Sequence, residues 1–358
     1  MIEKLEVSAS APLDEDQKTR VPLPRGGMPA TGTADPEVLA LLDQLDAASD
    51  EHAARKRPAN TTRAYAADWR AWEAFASASG FPAWAVRRGT LRAFVTQCWA
   101  DGDAPTTIDR RLAGIAVTLR TTYRRDVNPG DTADARELLK DLIREAAENR
   151  EPVRGRGEAA PLLLPDLRRV CAACGDRVAG IRDRAVVLMA FAVAGRRSEL
   201  AGLNDGDVVD EGDNGLLVDI RVSKTKRRTV AVPYGSNPAT CPVRAWRAWQ
   251  QAKRNAGVVD GGPAFLRIDR HGRVLGALSG QAVGSILTRA GERAGLDVRL
   301  TGHSGRAGLA TEARRAGKDR KAISNTTGHV DGSAALERYF RTTDQWTESD
   351  NALIGIGL

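Results

Sequence analysis

Hydrophobic spacing divides this chain into two unlike halves. Across residues 58–150 apolar side chains recur only at helical intervals. Beyond Gly157 the helical period gives way once to alternation, over 216–222 (LLVDIRV) and 228–233 (RTVAVP), before helices resume. Between the halves, Glu151-Pro-Val-Arg-Gly-Arg-Gly157 has the glycine, proline and charge content of a linker, assigned to 151–159. The expected fold class is mainly α with a small antiparallel β-sheet, in two domains.

Within that frame, residues 1–35 lack any apolar period and are rich in Pro, Gly, Ser and Thr, as expected of a disordered arm. Asp35-Pro36 then opens an accessory helix over 36–57. Four helices follow in 58–150. Asn60 is the expected N-cap of Thr61 to Ser79, whose Tyr65, Trp69, Trp72 and Phe75 form one stripe. Leu91 to Asp101 is next, then Thr106 to Arg125, with Ile108, Leu112, Ile115 and Leu119 on one face and Arg110, Arg111, Arg120, Arg124 and Arg125 elsewhere; Thr132 to Asn149 closes the block. A solvated face would account for those arginines as well as a ligand would. In 160–342, Pro165 and Asp166 open a helix, Asp183 to Val193 is apolar enough to be buried, and Ser223-Lys224-Thr225-Lys226 turns the hairpin. Helical patterns return at 242–255, 279–294, 303–316, 319–326 and 333–342.

Composition narrows the class. Lys plus Arg outnumber Asp plus Glu by 53 to 46, a net charge of +7, so a polyanion is a fitting partner. Aromatics at 5% argue against serial base stacking on single strands. No run reaches the roughly 18 apolar residues of a membrane span, no secretion leader is visible, and four cysteines suit a reducing compartment, so a cytoplasmic protein without membrane contact is expected. Cys171 and Cys174 have metal or redox spacing, yet they fall in an amphipathic helix without further ligands nearby, where both thiols can pack. Trp246 and Trp249 read as helix core.

The remaining polar motifs carry chemistry. Arg196 projects where the buried helix ends, in Ala194-Gly-Arg-Arg-Ser-Glu-Leu200. His303 and Arg306 stand three apart at a helix start, near its positive end. His329 lies in Thr327-Gly-His-Val330, and Tyr339 on a short helix after Leu336. A phosphodiester gains charge on two non-bridging oxygens as phosphorus becomes pentacoordinate, and planar guanidinium forks match those oxygens. A phenol becomes a nucleophile when an imidazole takes its proton, and a lysine can protonate the departing oxygen.

In this order the motifs resemble the tyrosine recombinase (phage integrase) family, Cre-like and Xer-like. The resemblance spans 160–342 as an α/β catalytic domain, and 58–150 is similar to the family's helical core-binding (SAM-like) DNA-binding domain. It implies Arg196 and Arg306 as the two catalytic arginines, Lys224 as the hairpin general acid, His303 as proton acceptor, His329 as the later histidine and Tyr339 as nucleophile, with Glu199 supporting the site. Lys226 is a second lysine on the same tip. Ten positions separate His329 from Tyr339, one more than many family members show, with Asp331-Gly332 at the extra residue. The resemblance further implies a two-domain clamp on double-stranded DNA bearing a specific recombination site. Arg63, Arg70, Arg110, Arg111, Arg120, Lys226 and Arg227 are the candidate DNA contacts. It implies a homotetramer working through a Holliday junction, no cofactor and no metal, a nucleoid-associated location, and a 343–358 tail that docks on its own or a neighbouring protomer. Two alternatives stay open on the sequence: a non-catalytic DNA-binding regulator using 307–326 as a helix-turn-helix, and a type IB topoisomerase.

Overall fold

A computed structural model describes residues 35–155, 157, 159–221, 227–328, 332–333 and 336–337. The expected arm over 1–34, Lys224, Lys226, His329, Tyr339 and the 343–358 tail lie outside the described residues. The chain forms two compact units that meet at Arg156/Gly157.

In the first unit, α1 (Pro36–Lys56) starts where Asp35 accepts the Glu37 N–H and Pro36 presets the first turn. It buries no residue; its ties to α4 run through Asp50, 3.2 Å from Arg120 and 3.7 Å from Arg124. The other helices are α2 (Ala59–Ala78), α3 (Arg88–Ala100), α4 (Pro105–Tyr123) and α5 (Pro129–Glu148). They share one core in which Trp69 and Trp72 meet Leu91, Phe94, Ile108, Leu112, Ile115, Leu119 and Leu139. The stripes expected on α2 and α4 are thus the buried faces. Asn60 is not the cap expected of it. The helix begins one residue after Pro58, whose carbonyl takes the N–H groups of Thr61 and Thr62, and Asn60 sits inside the first turn accepting from Arg63 at 2.9 Å. Proline's fixed φ sets the helix start before the asparagine can.

The second unit contains α6 (Leu164–Ala172), α7 (Val178–Ala192), α8 (Arg197–Ala201), α9 (Pro242–Asn255), α10 (Gly280–Arg293), α11 (Ser304–Arg315) and α12 (Arg320–Thr327). Strands β1 (Val208–Asp210), β2 (Leu216–Ile220) and β3 (Arg228–Val232) form an antiparallel sheet in sequence order, and β4 (Leu266–Ile268) pairs with β5 (Val274–Ala277). The hairpin pairs Leu216 with Val232 and Ile220 with Arg228. Helix α7 is the axis of the core, buried continuously from Ala185 to Ala190. It begins five residues before the expected Asp183, because the charged pair at 182–183 is interior. Arg182 binds Asp183 at 2.7 Å and the Leu266 carbonyl at 2.8 Å, and Asp183 also meets Arg293 at 3.1 Å. Trp246 and Trp249 are core, as their spacing implied, with the Trp249 indole donating to Ala264 O at 2.8 Å. All four cysteines are unpaired and buried, and burial pushes the Cys171 thiol up to about 12. Among the described residues no helix is long and apolar enough to cross a membrane.

Candidate active site

The centre of the site is the turn between α7 and α8. Ala194 adopts φ +46°, a left-handed conformation costly for a residue with a Cβ, so the surroundings must hold it there. Arg306, 2% exposed, donates to the Ala194 carbonyl at 3.0 Å from across the fold. That bond fixes both the turn and the arginine.

Two residues on, Arg196 caps α8. The Glu199 carboxylate accepts its backbone N–H at 3.0 Å and its guanidinium at 2.6 Å, a backbone-plus-side-chain grip that leaves Arg196 little rotamer freedom. Glu199 is itself buried and takes a second guanidinium, from Arg228 on β3, at 2.8 Å. One buried carboxylate between two arginines keeps the pocket cationic overall.

Helix α11 supplies the other pair. His303 is its N-cap and Arg306 lies one turn in. The helix approaches α7 so closely that a Cβ on Gly305 would stand 2.9 Å from the Ala190 carbonyl carbon, which is why this turn requires glycine. His303 remains solvent-accessible, yet partial desolvation, then the positive fields of Arg306, Arg197 and Arg196, hold its pKa below the usual histidine value, with Glu199 opposing. A neutral imidazole beside three guanidiniums is equipped to accept a proton near neutral pH.

The structure therefore brings together Arg196, Glu199, His303 and Arg306. Flanking backbone is described for the remaining candidates: β2 and β3 lead to the tip bearing Lys224 and Lys226, and α12 ends at Thr327 and Gly328, directly before His329. Leu336, three residues before Tyr339, is fully buried against Ala310 of α11 and Ile323 of α12, and Glu337 pairs with Arg320. Arg228 was missed by sequence reasoning. The available signal was its place on the inward face of an alternating strand, in phase with Val230 and Val232.

The proposed DNA contacts differ in what they already hold. Arg63 and Arg70 are exposed on α2, and Arg227 is exposed with its fork on Asp219 at 2.6 Å. Arg110 faces buried Asp68 at 3.1 Å, and Arg120 faces Asp50. Arg111 is half-buried, bound to Asp103 and to the Cys98 sulfur at 3.1 Å, so its fork is engaged inside the helical unit.

Comparison with known proteins follows the same lines. The model of the phage integrase family matches residues 163–345. An integrase/recombinase XerD homolog of Selenomonas ruminantium is 27% identical over 302 residues, covering 82% of this chain and 84% of that protein. The tyrosine recombinase XerC of Mycobacterium bovis (strain BCG / Pasteur 1173P2) is 30% identical over 247 residues, 66% of this chain and 71% of XerC. Among solved structures, the Tn1549 transposon integrase in complex with transposon right end DNA has the same fold, with a TM-score of 0.56 at 18% identity over 86% of this chain and 96% of that one. So does a lambda integrase dimer bound to a COC′ core site, at 0.54 and 14% over 87% and 96%. With half its length matched by the family model and 30% identity to a XerC recombinase, this chain belongs to the phage integrase family of tyrosine recombinases.

Proposed function

We propose that this tyrosine recombinase cleaves and rejoins duplex DNA at a specific site through Tyr339. The phenol oxygen attacks the scissile phosphorus, its proton passing to His303. The new O–P bond forms a 3′-phosphotyrosyl link as the P–O5′ bond breaks, and Lys224 protonates the departing 5′-oxygen. Arg196, Arg306 and His329 neutralise the charge that gathers on the non-bridging oxygens. The link retains the phosphodiester's energy, so rejoining needs no nucleotide hydrolysis. The observation that carries this reading is the convergence at the 194–199 turn of Arg196 (held by Glu199), Arg306 (held by the Ala194 carbonyl) and His303, whose pKa is lowered by desolvation and these arginines.

The helical unit holds the duplex, with Arg63, Arg70, Arg110 and Arg120 on α2 and α4 placed for phosphates or the major groove and Arg227 beside the hairpin tip. Arg111 takes a structural role instead, since its side chain, unlike the more exposed Arg110, Arg120 and Arg227, is largely buried between Asp103 and Cys98. DNA complexes of the Tn1549 and lambda integrases support duplex DNA as the partner. In this reading four protomers exchange strands in pairs through a Holliday junction in the cytoplasm, and the 343–358 tail docks on a neighbour. The test is denaturing electrophoresis after incubation with nicked duplexes that the full-length chain selects from a random pool. A covalent adduct lost in Tyr339→Phe, with recombinant products from paired sites, is expected; an adduct that persists in Tyr339→Phe, or none in the native chain, would overturn the assignment.

A further inference from the structure

Arg228 joins three parts of the site with a single side chain. Its Nη2 donates to Glu199 Oε2 at 2.8 Å and to the Val193 carbonyl at 3.2 Å, and its Nε donates to the Thr326 carbonyl at 3.2 Å. The first partner grips Arg196, the second precedes the strained Ala194, and the third is the last turn of α12. The side chain also packs closely on Gly328: a Cβ there would meet Cδ at 3.1 Å and Nη1 at 3.2 Å, and the residue's φ of +65° already demands glycine. The side chain is 8% exposed, and Nη1 is buried without a hydrogen-bond partner among the described residues. That unfilled donor carries a cost which the bonds to Glu199, Val193 and Thr326 must offset.

We infer that Arg228 is a positioning residue for DNA cleavage, setting Arg196 through Glu199 and fixing the α12 terminus from which His329 follows. This rests on the proposed function and specifies how its transition-state cations are held. Arg228 reaches the phosphate only through other groups, so losing it weakens charge neutralisation at the non-bridging oxygens and leaves DNA retention intact. A substrate whose scissile phosphate is replaced by a neutral methylphosphonate needs less of that neutralisation and tolerates the loss.

Full-length native chain, Arg228→Lys and Arg228→Met are compared on the selected nicked duplex in both chemistries, with melting temperature and DNA retention measured alongside. Arg228→Lys keeps a cation against Glu199, so it reports on the site even if the melting temperature shows that Arg228→Met has lost its fold. Expected are unchanged retention, single-turnover cleavage of the phosphodiester slowed by about 10- to 100-fold, and a variant-to-native ratio on the methylphosphonate within about threefold of unity, since its charge requirement is smaller. Equal slowing on both substrates, or no slowing of Arg228→Lys on the phosphodiester, overturns the inference while leaving the enzyme's function intact. Absence of any adduct from the native chain overturns the underlying reading instead.

Discussion

At Glu199 one carboxylate answers two guanidiniums, so removing its charge leaves Arg196 and Arg228 facing each other in a buried space. Breaking such a pair from one side typically costs about 3 to 5 kcal/mol. Glu199→Gln, which keeps the volume, is therefore expected to lower the unfolding free energy from urea titration by that order, and to slow adduct formation together with it; an unchanged midpoint would show that the two arginines do not depend on this charge. His303 makes a prediction in pH. Its folded pKa lies below the ordinary 6.5, with desolvation the leading cause and the arginines next. Above pH 6.5 both folded and unfolded chains carry a neutral ring. As pH falls from 6.5 through the folded pKa, the unfolded chain gains a proton that the folded one resists, so stability declines over that window. Cleavage should hold to the same lower limit, its acid limb centred below 6.5. His303→Gln should slow single-turnover cleavage by about 10²- to 10⁴-fold, as for other lost proton acceptors, and abolish that limb. A limb that survives the substitution would assign it to another group.

At the scale of elements, Leu336 docks the segment ahead of Tyr339 onto α11 and α12. Truncating a buried leucine costs about 2 to 5 kcal/mol, and here the loss falls on a small cluster of four residues, separate from the main core. Leu336→Ala should accelerate amide exchange across 320–342 while α7 and α9 stay protected, and should reduce adduct yield; uniform loss of protection would place Leu336 in the global core. Elements with a long, strong period were legible in sequence: α2, α4, α9, α10 and the β2–β3 hairpin lie within a few residues of expectation. Strands β1, β4 and β5 were not, since three or four residues cannot display an alternation and their pairing is set by distant chain. The early start of α7 was hidden for another reason. Arg182 and Asp183 look like a solvated helix start, and only the partners at Leu266 and Arg293, more than eighty residues away in sequence, make them interior. At the site, the motif residues Arg196, Glu199, His303 and Arg306 could be read because their spacing is local. Arg228 could not, because its role comes from what β3 packs against.

Over the whole molecule, each unit owns a hydrophobic core, and the net charge of +7 comes from the second unit, residues 1–156 summing to −1 and 157–358 to +8. If exposed arginines of both units neutralise phosphates, counterion release should give a steep salt dependence, with a log–log slope of about −0.9 per phosphate contacted. Fluorescence anisotropy between 50 and 200 mM salt, on the order used for such titrations, measures it; a flat titration would contradict the phosphate contacts. Arg70→Ala should flatten the slope by about one contact, whereas Arg111→Ala, with its fork already engaged by Asp103, should leave the slope unchanged and lower the melting temperature. The shielding of every native sulfhydryl has a practical sequel. Thiol-reactive dyes will find almost nothing to modify on the wild-type fold, so one cysteine introduced at an exposed surface position becomes a selective handle. Paired donor and acceptor fluorophores could then follow strand exchange in real time without first stripping the protein of its own sulfur.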